Sequence, residues 1–245
     1  IDLSLFRVGA FAGANVATFF LYFALSANLF YLPMLLIAGW DLSTAEVGFI
    51  FLPLSALIAL LSGPVGKLSD RIGPRFPIAC GSLVVAFAFA GLALLTYAGI
   101  HNFWIGIFPL MGLMGLGMAL VVSPLSTAIM TAVEDKDTGA ASGINNAVSR
   151  IGGLIAVAAM GSLAAWVYAN ALDASAASAI PGFGEPASAG LAPAIDAARL
   201  AASDAAFAAV SSVTALLCLT AAVIAWTTIP GERLPWPRQA EDRQG

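Results

Sequence analysis

Residues able to do chemistry are few in this chain, and they sit far apart. Its 245 residues include one histidine, His101, and two cysteines, Cys80 and Cys218. Hydrolysis needs a nucleophile beside a base, or a metal-activated water. Ser142, a serine in a small-residue setting, lies in a different segment from His101. No His-Glu-x-x-His, cysteine pair or glycine-rich phosphate loop occurs. The expectation is therefore no catalytic residue and no metal site, with His101 a loop histidine and both cysteines packing residues. What remains is binding chemistry: side chains repeated at helical spacing on apolar segments. Asn15, Phe19, Tyr22 and Ser26 share one helical face, as do Met111, Met114 and Met118. Ser142, Asn146, Ser149 and Arg150 share another, with Asn145 at its edge. Methionine is polarisable and adaptable, which suits varied apolar ligands, although such a stripe equally fills a core.

The elements that carry these faces follow from composition. The chain is 60% hydrophobic and 10% charged, with a mean hydropathy of +0.93. Soluble domains carry about 25% charged residues, so the expected fold is an all-α integral membrane protein. The charge-free gaps run from Arg7 to Asp41, Glu46 to Lys67, Arg75 to Glu134, Arg150 to Asp173 and Asp204 to Glu232. A helix crosses the bilayer with roughly 20 apolar residues, and the third gap holds two spans divided at the Gly99–Asn102 turn. Six transmembrane helices result, at about 13–38, 45–66, 76–98, 103–131, 140–169 and 205–229. The apolar runs are continuous, which excludes the alternating pattern of a barrel. All but Arg199 of the 10 Lys and Arg fall on one side. Arg7, Lys67, Arg71, Arg75, Lys136, Arg150, Arg233, Arg238 and Arg243 place both termini in the cytoplasm by the positive-inside bias. Trp40, Trp104, Trp166 and Tyr168 mark outer ends and Trp226 an inner one. The formal charge of −4 carries little topological weight.

Residues 1–12, with Asp2 and Arg7, read as an interfacial lead-in. Residues 173–204 read as one outer loop, with a turn at Pro181–Gly184 and a stretch, Ala194–Ser203, suited to extending the sixth helix outward. Residues 231–245 form a polar cytoplasmic tail. Small residues at helix-packing spacing (Gly139/Gly143, Gly115/Ala119, Gly161/Ala165) suit close helix contacts in lipid. Pro53, Pro64, Pro109 and Pro124 predict kinks in spans 2 and 4.

The loop after span 2 reads Gly66-Lys-Leu-Ser-Asp-Arg-Ile-Gly-Pro-Arg75. Gly66 permits close approach of two helices, Gly73 a tight reversal. Asp70 suits an arginine or a helix N-terminus. This loop resembles the G-x-L-x-D-R-x-G-x-R motif of the major facilitator superfamily, matching at Gly66, Leu68, Asp70, Arg71, Gly73 and Arg75. Ser142-Gly-Ile-Asn-Asn-Ala-Val-Ser-Arg-Ile-Gly-Gly153, with Gly115-Leu-Gly-Met118 and Ser123-Pro124, resembles the C-terminal half of the fourteen-helix drug:proton antiporter branch. Leu5-Phe-Arg7 and Gly48…Leu52-Pro53 extend the resemblance over the chain. A Gly-Pro pair of the antiporter signature is absent from span 5.

The resemblance implies a single six-span domain that is the C-terminal half of a proton-coupled exporter of small amphipathic molecules or drugs. Gly66, Asp70, Arg71, Gly73 and Arg75 would form its gating loop, and the three stripes would line its cavity. It would use alternating access in a cytoplasmic membrane, drawing on a proton gradient and no cofactor. Its partners would be the N-terminal half of the same polypeptide, lipid and a small-molecule substrate, with no nucleic acid. An importer or uniporter of another branch, and a non-transporting six-helix scaffold, are the alternatives. Two placements of Arg150 stand open: an interfacial anchor, or a site about 16 Å along a helix that begins near Gly139. The spans as drawn contain no Asp, Lys or His, and Asp41, Glu46 and His101 fall at outer ends or turns. The proton carrier is accordingly expected in the other half, since arginine does not release its proton.

Overall fold

A computed structural model describes residues 3–172, 180–186 and 191–231. The sequence readings that fall on Asp2, Arg233, Arg238, Arg243 and most of the tail lie outside the described residues. Six helices are long and apolar enough to cross a membrane, and no strand occurs among the described residues. Lipid offers no hydrogen bonds to a backbone, so continuous apolar runs close their bonds internally as helices.

The first crossing is α1 (Gly9–Met34), which ends in a π-helical turn, Leu35–Gly39. The second is divided into α2 (Thr44–Gly48) and α3 (Phe51–Ile72). Ser43 and Glu46 cap α2 reciprocally: the Ser43 N–H donates to the Glu46 carboxylate at 2.9 Å, and Ser43 Oγ accepts from the Glu46 N–H at 3.3 Å. The break at Phe49–Ile50 has a local cause. Pro53 has no N–H to offer the carbonyl four residues back, and that carbonyl, of Phe49, accepts from Leu52 instead. Next come α4 (Arg75–Tyr97), α5 (Phe108–Thr131) behind a π turn at Phe103–Ile107, and α6 (Thr138–Ala171). The last helix, α7 (Pro193–Thr228), begins at Pro193 rather than 205, so the run Ala194–Ser203 is helical and Asp204 lies inside the helix. Pro53 and Pro109 sit in first helical turns, where a missing N–H costs little. Pro33, Pro64 and Pro124 lie inside helices.

The helices alternate in direction. One end of the bundle gathers the start of α1, the turn between α3 and α4, and the ends of α5 and α7 around Ala10, Pro74, Ala132 and Ile229. We call this the basic end, since Lys67, Arg71 and Arg75 stand there. α1, α4, α5 and α7 form the centre, with Phe11, Leu21, Leu32, Phe89, Met111 and Phe207 fully buried. α4 packs on α5 and α7, α1 on α6 and α7, and α3 on α5. A Cβ on Gly81 would lie 2.6 Å from the Gly117 carbonyl oxygen, and one on Gly117 2.8 Å from that of Gly81, so α4 and α5 touch backbone to backbone. Gly115 meets Leu54 in the same way, whereas Gly139 and Gly143 face open space. Cys80 and Cys218 are unpaired.

α1 and α7 are joined by a saturated amide. Ser211 Oγ donates to Asn28 Oδ1 at 2.8 Å, and Asn28 Nδ2 donates to Thr214 Oγ1 at 2.7 Å and to the Ala24 carbonyl at 3.1 Å. The outer two helices differ from the rest. The most apolar window is 17% buried in the second crossing and 28% in the fifth, against 50% or more in the other four. α3 and α6 therefore leave long apolar faces uncovered.

Candidate functional site

α1 and α6 together build an open groove of about 740 Å³. Tyr22, Ser26, Leu29 and Phe30 line it from α1, and Ser149, Arg150, Gly153, Leu154 and Val157 from α6. Two glycines set the geometry. A Cβ on Gly152 would come within 3.1 Å of the Phe19 carbonyl oxygen, and one on Gly153 within 2.7 Å of Ser26 Oγ. Absence of those carbons brings the helices together and sets the polar face of each on one opening. Farther along, the Tyr31 hydroxyl donates to the Val157 carbonyl.

α6 runs unbroken from Thr138, so Arg150 lies well inside the helix rather than at its start. Its Nε donates to Asn146 Oδ1 at 3.4 Å, and Ser149 Oγ donates to the Asn146 carbonyl at 2.9 Å. No carboxylate pairs with Arg150 among the described residues. A buried guanidinium in lipid costs several kcal/mol unless it is paired or hydrated, and Arg150 is exposed along the open groove. The opening is therefore a mainly apolar trough with aromatic rings, two hydroxyl groups from serine and a single cation. It suits an amphipathic guest and offers nothing to break a covalent bond.

The other stripe residues lie elsewhere. Asn15 is buried, donates to the Phe11 carbonyl at 2.9 Å, and leaves its Oδ1 without a partner. Phe19 is half-buried between its own neighbours and Gly152. Ser142 and Asn146 are exposed, and Asn145 is half-buried with an unpartnered Oδ1; none of the three lines the groove. The methionine stripe is a correction: Met111, Met114 and Met118 are buried in the core, because the face of α5 that carries them points into the bundle. Conversely, Leu29, Phe30, Leu154 and Val157 escaped the sequence reading. They continue the faces of Ser26 and Arg150 by one helical turn, or two for Val157, and that spacing was the available signal.

The loop between α3 and α4 closes at Gly73, whose φ of 86° lies where only glycine is at ease. A Cβ on Gly66 would lie 2.8 Å from Ser123 Oγ, so the start of the motif lies against α5. Arg75 Nε donates to the Ile229 carbonyl at 2.7 Å, with its guanidinium 5.9 Å from the Trp226 ring centre. Asp70 and Arg71 are exposed, and Asp70 makes no hydrogen bond or ion pair with any described residue. The motif thus splits into an anchored part and a free part.

Residues 14–244 match the family described as the Major Facilitator Superfamily. The chain belongs to that superfamily of membrane transporters. It is 36% identical over 171 residues to multidrug resistance protein Stp of Mycobacterium tuberculosis, covering 69% of this chain and 31% of Stp. It is 35% identical over 148 residues to the lincomycin resistance protein of Streptomyces lincolnensis, covering 59% of this chain and 30% of that protein. A triacylglyceride transporter of Mycobacteroides abscessus is 31% identical over 191 residues, covering 74% of this chain and 36% of its own length. The matched region thus spans about a third of the length of these relatives. These relationships place the chain among transporters resembling the drug:proton antiporter branch, and not among enzymes.

Proposed function

We infer that this chain is the C-terminal six-helix half of a secondary active transporter that exports small amphipathic organic molecules in exchange for protons. It works in a cytoplasmic membrane with the basic end inward, and needs no cofactor. The observation that carries this reading is the groove between α1 and α6, where Arg150, Ser149, Tyr22 and Ser26 meet on apolar walls. The groove lies on α6, one of the two helices with uncovered faces, so a second six-helix unit seated there would close it into a central site. Free Asp70 and Arg71 then meet that unit at the cytoplasmic side and stabilise one gate state. Relatives named for multidrug resistance, lincomycin resistance and triacylglyceride transport support an organic rather than an inorganic guest. The test is efflux of a fluorescent amphipathic dye from proteoliposomes holding the intact polypeptide, with and without an imposed proton gradient. Gradient-driven dye movement, lost when Arg150→Ala and Ser149→Val are combined, is expected. No dye movement by the native protein overturns the reading.

A further inference from the structure

A second polar centre lies at the end of the bundle opposite the motif loop. The Asp204 side chain is 6% exposed, yet both carboxylate oxygens are engaged. The Trp40 indole N–H donates to Oδ1 at 2.8 Å, and His101 Nε2 lies 2.6 Å from Oδ2. An indole nitrogen only donates, so Oδ1 is held as an acceptor. The His101 ring packs on Trp40 with centres 4.8 Å apart, and its side chain is 35% exposed. Two pockets of about 520 and 290 Å³ meet at His101. Solvent in either reaches the His101 ring, and the smaller pocket is lined by Asp204 as well.

The backbone around this centre is irregular on both sides. The π turn Leu35–Gly39 runs into Trp40, and the π turn Phe103–Ile107 begins just after His101. Such turns recur at functional sites. Here the first presents the Ala38 carbonyl to Arg199 Nη1 at 2.6 Å. The end of α1 is thereby tied to α7 twice, at Ala38–Arg199 and Trp40–Asp204.

We propose that His101 and Asp204 together bind one proton from the solution at this end, and that they form the proton-coupling site of this half. The assignment rests on the exporter reading, in which this end faces outward. It reverses the expectation that the carrier lies in the other half, which treated 204 as outside the sixth span. With the imidazole neutral, Nε2–H donates to the carboxylate and the pair carries one negative charge. A proton from water then binds Nδ1, giving an imidazolium–carboxylate pair of zero net charge; its departure restores the starting state. The surrounding groups leave this role to His101. Asp41, Asp196 and Arg199 share the larger pocket and Tyr97 the smaller. Arg199 is engaged by Asp196 at 2.8 Å and by Ala38, while Tyr168 lies within electrostatic reach of Arg199 and Glu185. Among the described residues His101 is the basic side chain in contact with Asp204. Asp204 stays ionised in both states, so loading changes the donor on Oδ2 from a neutral imidazole to an imidazolium. The same carboxylate keeps the Trp40 N–H on Oδ1.

Two measurements on the intact polypeptide test this. In nanodiscs, the ring-nitrogen signal assigned to His101 by its loss in His101→Gln reports proton occupancy at pH 6.5. Asp204→Asn should lower that occupancy, since an adjacent opposite charge favours the protonated ring; unchanged occupancy overturns the pairing. In proteoliposomes, His101→Gln keeps an N–H donor for Asp204 and removes only the titration. In correctly inserted protein it should lose the acceleration of dye movement given by an acid outer solution; retained acceleration overturns the coupling role. If the native protein moves no dye, the exporter reading fails, and the nanodisc measurement still decides whether the pair binds a proton.

Discussion

Arg75, the last residue of the loop motif, donates its Nε–H to the carbonyl of Ile229, just past the final turn of α7. Helix ends leave carbonyls without intrahelical partners, and a guanidinium there also opposes the negative end of the helix dipole. A residue that the motif places for its charge thus staples the first turn of α4 to the last helix. Arg75→Ala should lower unfolding stability by about 1.5–3 kcal/mol, the range for hydrogen bonds to charged groups. Arg75→Lys should recover less than half, having no Nε in that position. Thermal unfolding in detergent checks both, and equal stability of all three proteins would deny the staple any structural weight.

Asp70 behaves differently, since it has no partner among the described residues. Asp70→Asn should insert and express as the native protein does, because exposed charges contribute under ~1 kcal/mol. Its dye efflux should nevertheless fall several-fold, if the carboxylate meets the opposite half at the gate. Native transport by this variant would remove Asp70 from the gate.

The α1–α6 contact predicts a paired effect. Gly153→Ala puts a carbon 2.7 Å from Ser26 Oγ, a clash of the kind that costs about 1–3 kcal/mol. Ser26→Ala in the same chain removes that oxygen and should restore most of the loss. A double-mutant cycle on unfolding stability measures the coupling; strict additivity would mean the helices are not in contact there.

Glycines that face open space should respond in the opposite direction from Gly73. With φ 86° and ψ 157°, Gly73 occupies backbone space that is nearly exclusive to glycine, so Gly73→Ala should cost about 1–3 kcal/mol. Gly143→Ala adds a carbon with nothing within 4 Å and should be neutral or stabilising by up to about 1 kcal/mol. Melting temperatures of the two variants should move apart from that of the native chain.

The six crossings were legible because lipid forces a helix wherever charge is absent for long enough, and the loop motif because its glycines and charges are adjacent in sequence. The groove was half legible. Periodicity shows that Tyr22 and Ser26 share a face, and likewise Ser149 and Arg150, but not what each face meets. The same rule put Asn15 and Met111 on faces that the resemblance turned toward the cavity, whereas packing buries both within this half. The His101–Asp204 pair was out of reach, since its members are 103 positions apart. Hydropathy also ended the outer loop at Asp204, one residue before the sixth span, whereas α7 begins at Pro193 and includes it, and nothing in the sequence announces a π turn.

The amide of Asn28 fixes more than a contact. Sliding α1 along α7 by one turn would break the two bonds that cross between the helices, Asn28–Thr214 and Ser211–Asn28. It would leave the Asn28 oxygen and one of its N–H groups unpaired in apolar surroundings, at about 1–3 kcal/mol for each orphaned group. The two helices are in that sense keyed, like a shaft to its wheel, and share one displacement. Widening or narrowing of the trough therefore falls to the seam between α1 and α6, where glycines lie against side chains and Tyr31 holds a lone carbonyl. Gly152, Gly153 and Gly161 are the positions at which that seam is closest.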